Sequence, residues 1–253
     1  MRHKDRVFFV AGVGPGLGSA LVSLLASEGA GVMALARSAK ALGPIRAHAE
    51  RRGWNVDVRT ADVLNQAEVD RAVAQGLEHF GRLDGVSINV GRWHGAEHLL
   101  HQMSDEEWSD GIRGNLEPTF RVARATVPHL IAQGGGSVVI VSAAAAIRAA
   151  GNVPYHLAKG ALVDVVPRLA RDYRPWKVRV NAVLPGSMRQ ALDGLDPPAP
   201  EHRVPLAEDL PTSPWEVARA VQYLLSDESR WVTGALLTVD GGLSAGGAES
   251  PPK

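Results

Sequence analysis

The sequence predicts an α/β domain: one doubly wound parallel sheet with helices on both faces. Three observations predict it. Short apolar runs alternate with helix-length amphipathic segments through most of the 253 residues. Most runs are continuous in Val, Ile, Leu and Ala, as strands covered on both faces are. A glycine-rich turn follows the first run and opens the first helical segment. Strand–helix repetition of this kind requires right-handed βαβ crossovers.

The first candidate strand is Arg6–Ala11. Arg2, Lys4 and Arg6 ahead of Val7-Phe8-Phe9-Val10-Ala11 imitate a secretory leader, but the run breaks at Gly12, Gly14, Pro15, Gly16 and Gly18. It reads better as a buried strand entering a glycine loop. The following strands are expected at Gly31–Ala36, Asn55–Thr60, Gly85–Val90, Ser137–Ser142, Lys177–Leu184 and Ala235–Val239. The helices between them are expected at Gly16–Glu28, Ala39–Arg52, Gln66–Phe80, Asp105–Gln133, Tyr155–Tyr173 and Pro214–Ser226. Pro167 lies inside the fifth of these; it removes an N–H and crowds the preceding turn, which predicts a kink near Val163. No repeat or linker divides the chain, so a single domain spans residues 1–243. Residues 187–214 are irregular, carry six prolines and read as a substrate lid. Residues 244–253 are small and polar and read as a disordered tail.

Composition narrows the function. Lys and Arg total 27, as do Asp and Glu, so there is no overall basic excess for nucleic acid or a membrane surface. Cysteine is absent, which excludes disulfides, thiolate nucleophiles and Cys-ligated zinc. No apolar run reaches transmembrane length. These features predict a soluble cytoplasmic protein.

The loop Gly12-Val13-Gly14-Pro15-Gly16-Leu17-Gly18 joins a strand to a helix. Glycines there permit positive φ and close backbone approach, and the helix N-terminus offers free N–H groups to a pyrophosphate. Glycines alone could mark a tight strand–helix turn, but their place after the first strand reads as the phosphate cradle of a Rossmann-type dinucleotide site. The second strand ends Leu35-Ala36-Arg37-Ser38, with a guanidinium where a ribose-binding carboxylate is otherwise expected. Arg37 suits a 2′-phosphate, which favours NADP (NADPH), with NAD the alternative. Asp62 ends the third strand region and either accepts from an adenine amino group or caps the helix from Gln66.

Tyr155 and Lys159 are four apart, on one helix face. Ser142 ends a buried strand 13 residues earlier, at the edge where ligands sit in open α/β sheets. Asn115 lies within a helix. In this order the pieces resemble the short-chain dehydrogenase/reductases, specifically the subgroup of about this length that uses a Ser–Tyr–Lys–Asn tetrad and includes 3-oxoacyl-carrier-protein reductases. The resemblance covers roughly residues 6–243. It rests on the glycine loop, Asp62-Val63, Asn89-Val90-Gly91, Asn115, Ser142, Tyr155-x3-Lys159, Asn181-Ala182-Val183-Leu184-Pro185-Gly186 and Val239-Asp240-Gly241-Gly242.

The resemblance implies a hydride transfer between NAD(P) and a carbonyl or secondary alcohol. Tyr155 would be the general acid or base, Lys159 would favour its phenolate and bind the nicotinamide ribose, and Ser142 would donate to the substrate oxygen. Asn115 would hold a water that links Lys159 to solvent. Gly12, Gly14, Gly16, Leu17, Gly18, Arg37, Asp62, Val63, Asn89, Gly91, Pro185, Gly186 and Met188 would bind cofactor, together with Tyr155 and Lys159. The sequence departs from the pattern at Ala11 for Thr, at Val90 for Ala, and at Gln190, where a carboxamide-binding Thr is common.

Trp93, His94, Ala144, Val153, Ser187 and Met188 are expected to face a small-molecule carbonyl or alcohol substrate. His94, His98 and His101 have metal-like spacing but lack supporting acids, so no metal is expected. Relatives imply a homodimer or homotetramer built on the Asp105–Gln133 and Tyr155–Tyr173 helices. The alternative of another class is a non-catalytic dinucleotide-binding sensor or scaffold, which would have no need of a complete tetrad.

Overall fold

The computed structural model describes residues 1–95, 97–199 and 211–245. The chain runs β1 (Val7–Ala11), α1 (Leu17–Ser27), β2 (Gly31–Ala36), α2 (Ala39–Arg52), β3 (Val56–Thr60), α3 (Gln66–Phe80), β4 (Gly85–Ile88) and α4 (Asp105–Ala132). It continues with β5 (Gly136–Val141), α5 (Ala145–Ala150), α6 (Val153–Tyr173), β6 (Val178–Pro185), α7 (Pro214–Leu225) and β7 (Leu236–Val239). The seven strands form one sheet in the order β3-β2-β1-β4-β5-β6-β7. Every neighbouring pair is parallel.

Alternation inside each apolar run sorts side chains between two cores. Phe9, Ile88, Val138 and Ile140 join residues of α3, α4 and α6 such as Val69, Leu130 and Leu162. Phe8, Val10, Val139 and Val141 join residues of α1, α2 and α7 such as Leu21, Ile45 and Val221. Successive residues point to opposite faces, so a run that is apolar throughout is the condition for covering both. The edge strand β3, Val-Asp-Val-Arg-Thr, is only partly buried, and its Asp57 and Arg59 side chains pair at 2.7 Å.

Most element ends fall within a residue or two of expectation, and the shifts have local causes. Arg6 is outside β1 because its N–H closes a turn onto the His3 carbonyl at 3.1 Å, while its guanidinium reaches Asp84 at 3.0 Å and Asp227 at 2.8 Å. α6 begins two residues earlier than expected, because the Asn152 side chain accepts from Tyr155 N–H at 3.0 Å and Pro154 fits the first turn. The helix stays unbroken from Val153 to Tyr173 across Val163 and Pro167. The expected kink therefore corresponds to no break in the helical run. α4 likewise continues through Pro118 and Pro128.

The start of the expected tail is fastened rather than free. Asp240 is buried, and its carboxylate accepts from Gly242 N–H at 2.9 Å and Ser244 N–H at 2.8 Å. Ser244 Oγ in turn accepts from Ala146 N–H at 3.1 Å. The rest of the tail and residues 200–210 of the expected lid lie outside the described residues. Among the described residues no helix is long and apolar enough to cross a membrane.

Candidate active site

The site forms at the carboxyl edge of the sheet, beyond β1, β4, β5 and β6. Its first component is the glycine loop. Gly12 has φ +92°, and a Cβ there would lie 2.9 Å from the Asn89 carbonyl carbon. At Gly18 a Cβ would lie 2.5 Å from the Gly12 oxygen, so glycine is what lets α1 close against the loop. Gly14 has nothing within 4 Å of its would-be Cβ and borders open space. No side chain caps α1, and no carboxylate stands in its first turn. Nearby, the buried Asn89 Nδ2 finds no partner, while its Oδ1 accepts from Ser87 Oγ at 2.7 Å. An uncapped helix end beside a glycine turn and an orphaned amide suit a dinucleotide.

Arg37 is exposed just past β2. It stands near the loop because Gly12 and Val13 N–H both donate to the Leu35 carbonyl at 2.9 Å. Asp62 accepts from Leu64 N–H at 2.9 Å and donates its own N–H to Glu68 at 2.8 Å. It does not cap α3; Asn65 does, accepting from Ala67 N–H at 3.1 Å. Val63 packs partly buried against the α3–α4 side of the core.

The second component is a cavity of about 370 Å³. Ser142, Tyr155 and Lys159 line it together with Asn89, Gly91, Pro185, Gly186, Ser187 and Met188. Leu17 brings the α1 terminus to the same space. Trp93 also reaches it, with its ring edge-on to Tyr155 at 5.0 Å between centroids and an angle of 74°. Gln190 lines the wall as well, and its carbonyl would lie 2.9 Å from a Cβ on Gly16.

The catalytic candidates are packed tightly. Lys159 Nζ donates to the Val90 and Val141 carbonyls, both at 3.3 Å. Ser142 Oγ donates to the Lys159 carbonyl at 2.6 Å. Asn115 is fully buried; its Oδ1 accepts from Arg92 N–H at 2.9 Å and its amide donates to the Gly111 carbonyl at 3.0 Å. Gly91 sits where these groups converge: a Cβ there would lie 2.5 Å from Lys159 Nζ and 2.9 Å from Asn115 Oδ1.

Burial sets the protonation behaviour. It draws the Lys159 amine down to about 8. It pushes the Tyr155 phenol up to about 12, and the charge that opposes it is Arg148 on α5. Lys159 was expected to favour the phenolate, yet its ammonium is directed to two backbone carbonyls.

The lining of the cavity differs in part from the residues expected to face the substrate. Ala144 is fully buried, because its N–H is drawn to the Pro185 carbonyl at 2.8 Å. Val153 is occupied as the first residue of α6, and the His94 carbonyl accepts from Asn152 N–H at 2.9 Å. Ala143, Ile147 and Arg92 line the cavity where Ala144, Val153 and His94 were expected. The sequence reading missed Ile147 and Arg148 because α5 is a six-residue helix in an Ala-rich stretch, without caps or periodicity. His98 Nδ1 lies 2.8 Å from Glu107, and among the described residues no three His, Asp or Glu side chains gather as a metal site would require.

Comparison with known proteins follows the same lines. A family described as enoyl-(acyl carrier protein) reductase matches residues 12–244. A 3-oxoacyl-[acyl-carrier-protein] reductase of Thermotoga maritima is 33% identical over 248 residues, covering 96% of this chain and 99% of the relative. Levodione reductase of Leifsonia aquatica is 30% identical, covering 96% of each. Among solved structures, a 3-ketoacyl-ACP reductase from Sinorhizobium meliloti superimposes with a TM-score of 0.84 at 30% identity, covering 94% of this chain and 99% of that one. A levodione reductase structure gives 0.85 at 28% identity, covering 96% and 99%.

Proposed function

The chain belongs to the short-chain dehydrogenase/reductase family and is an NAD(P)-dependent oxidoreductase of carbonyl or alcohol groups; from that premise we propose that it is an NADPH-preferring carbonyl reductase with Tyr155 as its acid. The observation that carries this is the convergence of Ser142, Tyr155 and Lys159 on one cavity reached by the uncapped end of α1. When bound, the dinucleotide supplies the hydride.

The protein's own groups place and move the proton. Tyr155 keeps its proton at neutral pH, as an ordinary phenol does and more firmly for its burial, and is the group placed to give it up. That state suits reduction, in which the nascent alkoxide takes the proton from the phenol oxygen. Ser142 Oγ, now bonded to the Lys159 carbonyl, turns to donate to the substrate oxygen. Lys159 holds a nicotinamide ribose and supplies cationic charge beneath the cavity. Asn115 fixes the Arg92 backbone beside Gly91 and so preserves the space that Lys159 enters.

Arg37 supports the preference for NADPH, being exposed at the rim of the loop with no ion pair among the described residues. With NADPH, NADH and a panel of ketones and aldehydes, carbonyl-dependent loss of nicotinamide absorbance is the expected result. Arg37→Asp should lower the NADPH-to-NADH ratio of kcat/KM by about 100-fold, through lost pairing and added repulsion. An unchanged ratio would return NAD as the cofactor.

Oligomerisation through α4 and α6 is part of the same reading. Phe120 on α4 is 60% exposed and Leu157 on α6 is 46% exposed, large apolar groups on the faces in question. Light scattering should give a dimer or tetramer; a monomer mass at all concentrations would remove this part.

A further inference from the structure

A second and larger cavity, about 570 Å³, opens at the amino edge of the sheet. It lies beyond the starts of β1, β4, β5 and β6, at the opposite end of these strands from the catalytic candidates. The two cavities share no lining residue.

Its charge is unlike that of the whole chain. The chain balances 27 cations with 27 acids. The cleft gathers Arg2, Arg6, Arg82, Arg174, Lys177, Arg179 and Arg230 against Asp84 and Asp227 only, which is seven to two. The two carboxylates are already engaged. Asp84 is held by Arg6 at 3.0 Å and Arg82 at 2.7 Å, and Asp227 by Arg6 at 2.8 Å. Arg2 pairs with Glu228 at 3.1 Å. That leaves four cations without an ion pair among the described residues. One of them, Arg179, spends its guanidinium on the Val232, Leu224 and Ser226 carbonyls, so its charge is braced by dipoles but not neutralised. Arg174, Lys177 and Arg230 are exposed.

Two further features mark the floor and the rim of the cleft. His3 lines the cleft and is 1% exposed, yet its Nε2 has no hydrogen-bond partner. Burial draws this imidazole down to about 4, so His3 presents a neutral ring at the base of the cleft. Lys177 adopts φ +58°, one of only two non-glycine residues at positive φ among the described residues. That conformation costs a lysine energy that a glycine would avoid. Keeping an ammonium there has a physical rationale if the ammonium is used.

We propose that this cleft binds a small, multiply charged oxyanion of the phosphate class, held by Arg174, Lys177 and Arg230 over the base formed by Arg179 and His3. Guanidinium forks match phosphate oxygens in pairs, and several cations around one concave space favour an anion of more than one charge. A cavity of this size accommodates an oligophosphate or a phosphorylated metabolite. The proposal stands apart from the oxidoreductase reading, because it uses none of that site's residues.

The test is calorimetric titration of the full chain with sodium tripolyphosphate and, separately, citrate, at ionic strength matched with chloride. Wild type is compared with the triple variant Arg174→Gln, Lys177→Gly, Arg230→Gln. All three side chains are exposed, and glycine suits the backbone at 177, so the variant should melt at or above the wild-type temperature. Tripolyphosphate should bind the wild type, and the variant about ten-fold or more weakly. The variant's response to NADPH should be unchanged. Equal affinity in both proteins would place tripolyphosphate elsewhere, on the glycine loop for instance, and overturn the proposal. Citrate binding as tight as tripolyphosphate would overturn the phosphate class, and no titratable heat with either anion would overturn the site.

Discussion

Tyr155→Phe should lower kcat by about three orders of magnitude while leaving the fold and NADPH binding in place. The substitution removes one oxygen and keeps the ring. That ring is 5% exposed and packs edge-on against Trp93. The cap that starts α6 uses the backbone N–H of Tyr155, which the change does not touch. Stopped-flow turnover and a fluorescence titration with NADPH separate the two effects. Turnover within a few-fold of wild type would mean that another group delivers the proton. Loss of NADPH binding together with activity would mean that the phenol serves the cofactor rather than the substrate.

Lys159→Met should abolish turnover and, unusually for an active-site change, raise the melting temperature. Lys159 is buried, and no carboxylate offsets its charge. Its pKa falls from 10.5 to about 8. Lowering a base in the folded state means that the folded protein pays for the charge. At pH 7 the amine is protonated both folded and unfolded, so the full penalty applies, on the order of 3 kcal/mol. Wild-type stability should therefore rise as pH passes from about 8 towards 10.5, where the folded amine is neutral and the unfolded one is not. Methionine fills a similar volume without charge. It forfeits two long hydrogen bonds to the Val90 and Val141 carbonyls, a loss of about 1–2 kcal/mol. The balance is a gain of about 1–2 kcal/mol, or several degrees in Tm. Calorimetry at pH 7 and pH 10 decides it: the variant's advantage at pH 7 should vanish or reverse at pH 10, where most of the wild-type penalty is gone. A lower Tm for the variant at both values would show that the two carbonyls matter more than the charge.

The sheet was legible because its cause is local. Runs such as Val7–Ala11 and Ser137–Val141 need apolar residues on both faces, and sequence displays that directly. The spacing of Tyr155 and Lys159, and the position of Ser142 just past a strand, also follow from fixed periods, and all three meet in one cavity. What sequence could not supply was where side chains end. Four-residue spacing puts the phenol and amine on one face of α6, but the amine's destination depends on carbonyls after β4 and at the end of β5. Arg148 influences Tyr155 through the short helix α5, whose Ala-rich sequence carries no sign of a helix. Ala144 was expected to face the substrate, and what sequence does not display is that its N–H bonds to the Pro185 carbonyl at 2.8 Å. The amino-edge cleft went unseen because its cations are scattered from Arg2 to Arg230, and only the fold collects them.

The contact between Gly151 and Tyr155 has a dynamic consequence. A Cβ on Gly151 would overlap the Tyr155 ring carbon Cδ1, so the backbone there comes close against the phenol ring, which Trp93 also meets edge-on. Half-turns of that ring about its long axis require the α5–α6 junction to breathe, and should be slow compared with those of an exposed tyrosine. The phenol oxygen, however, lies on the axis of rotation. A half-turn exchanges the two edges of the ring and returns the oxygen to the same point. The phenol oxygen is thus aimed by its attachment geometry, and a half-turn of the ring leaves that aim unchanged.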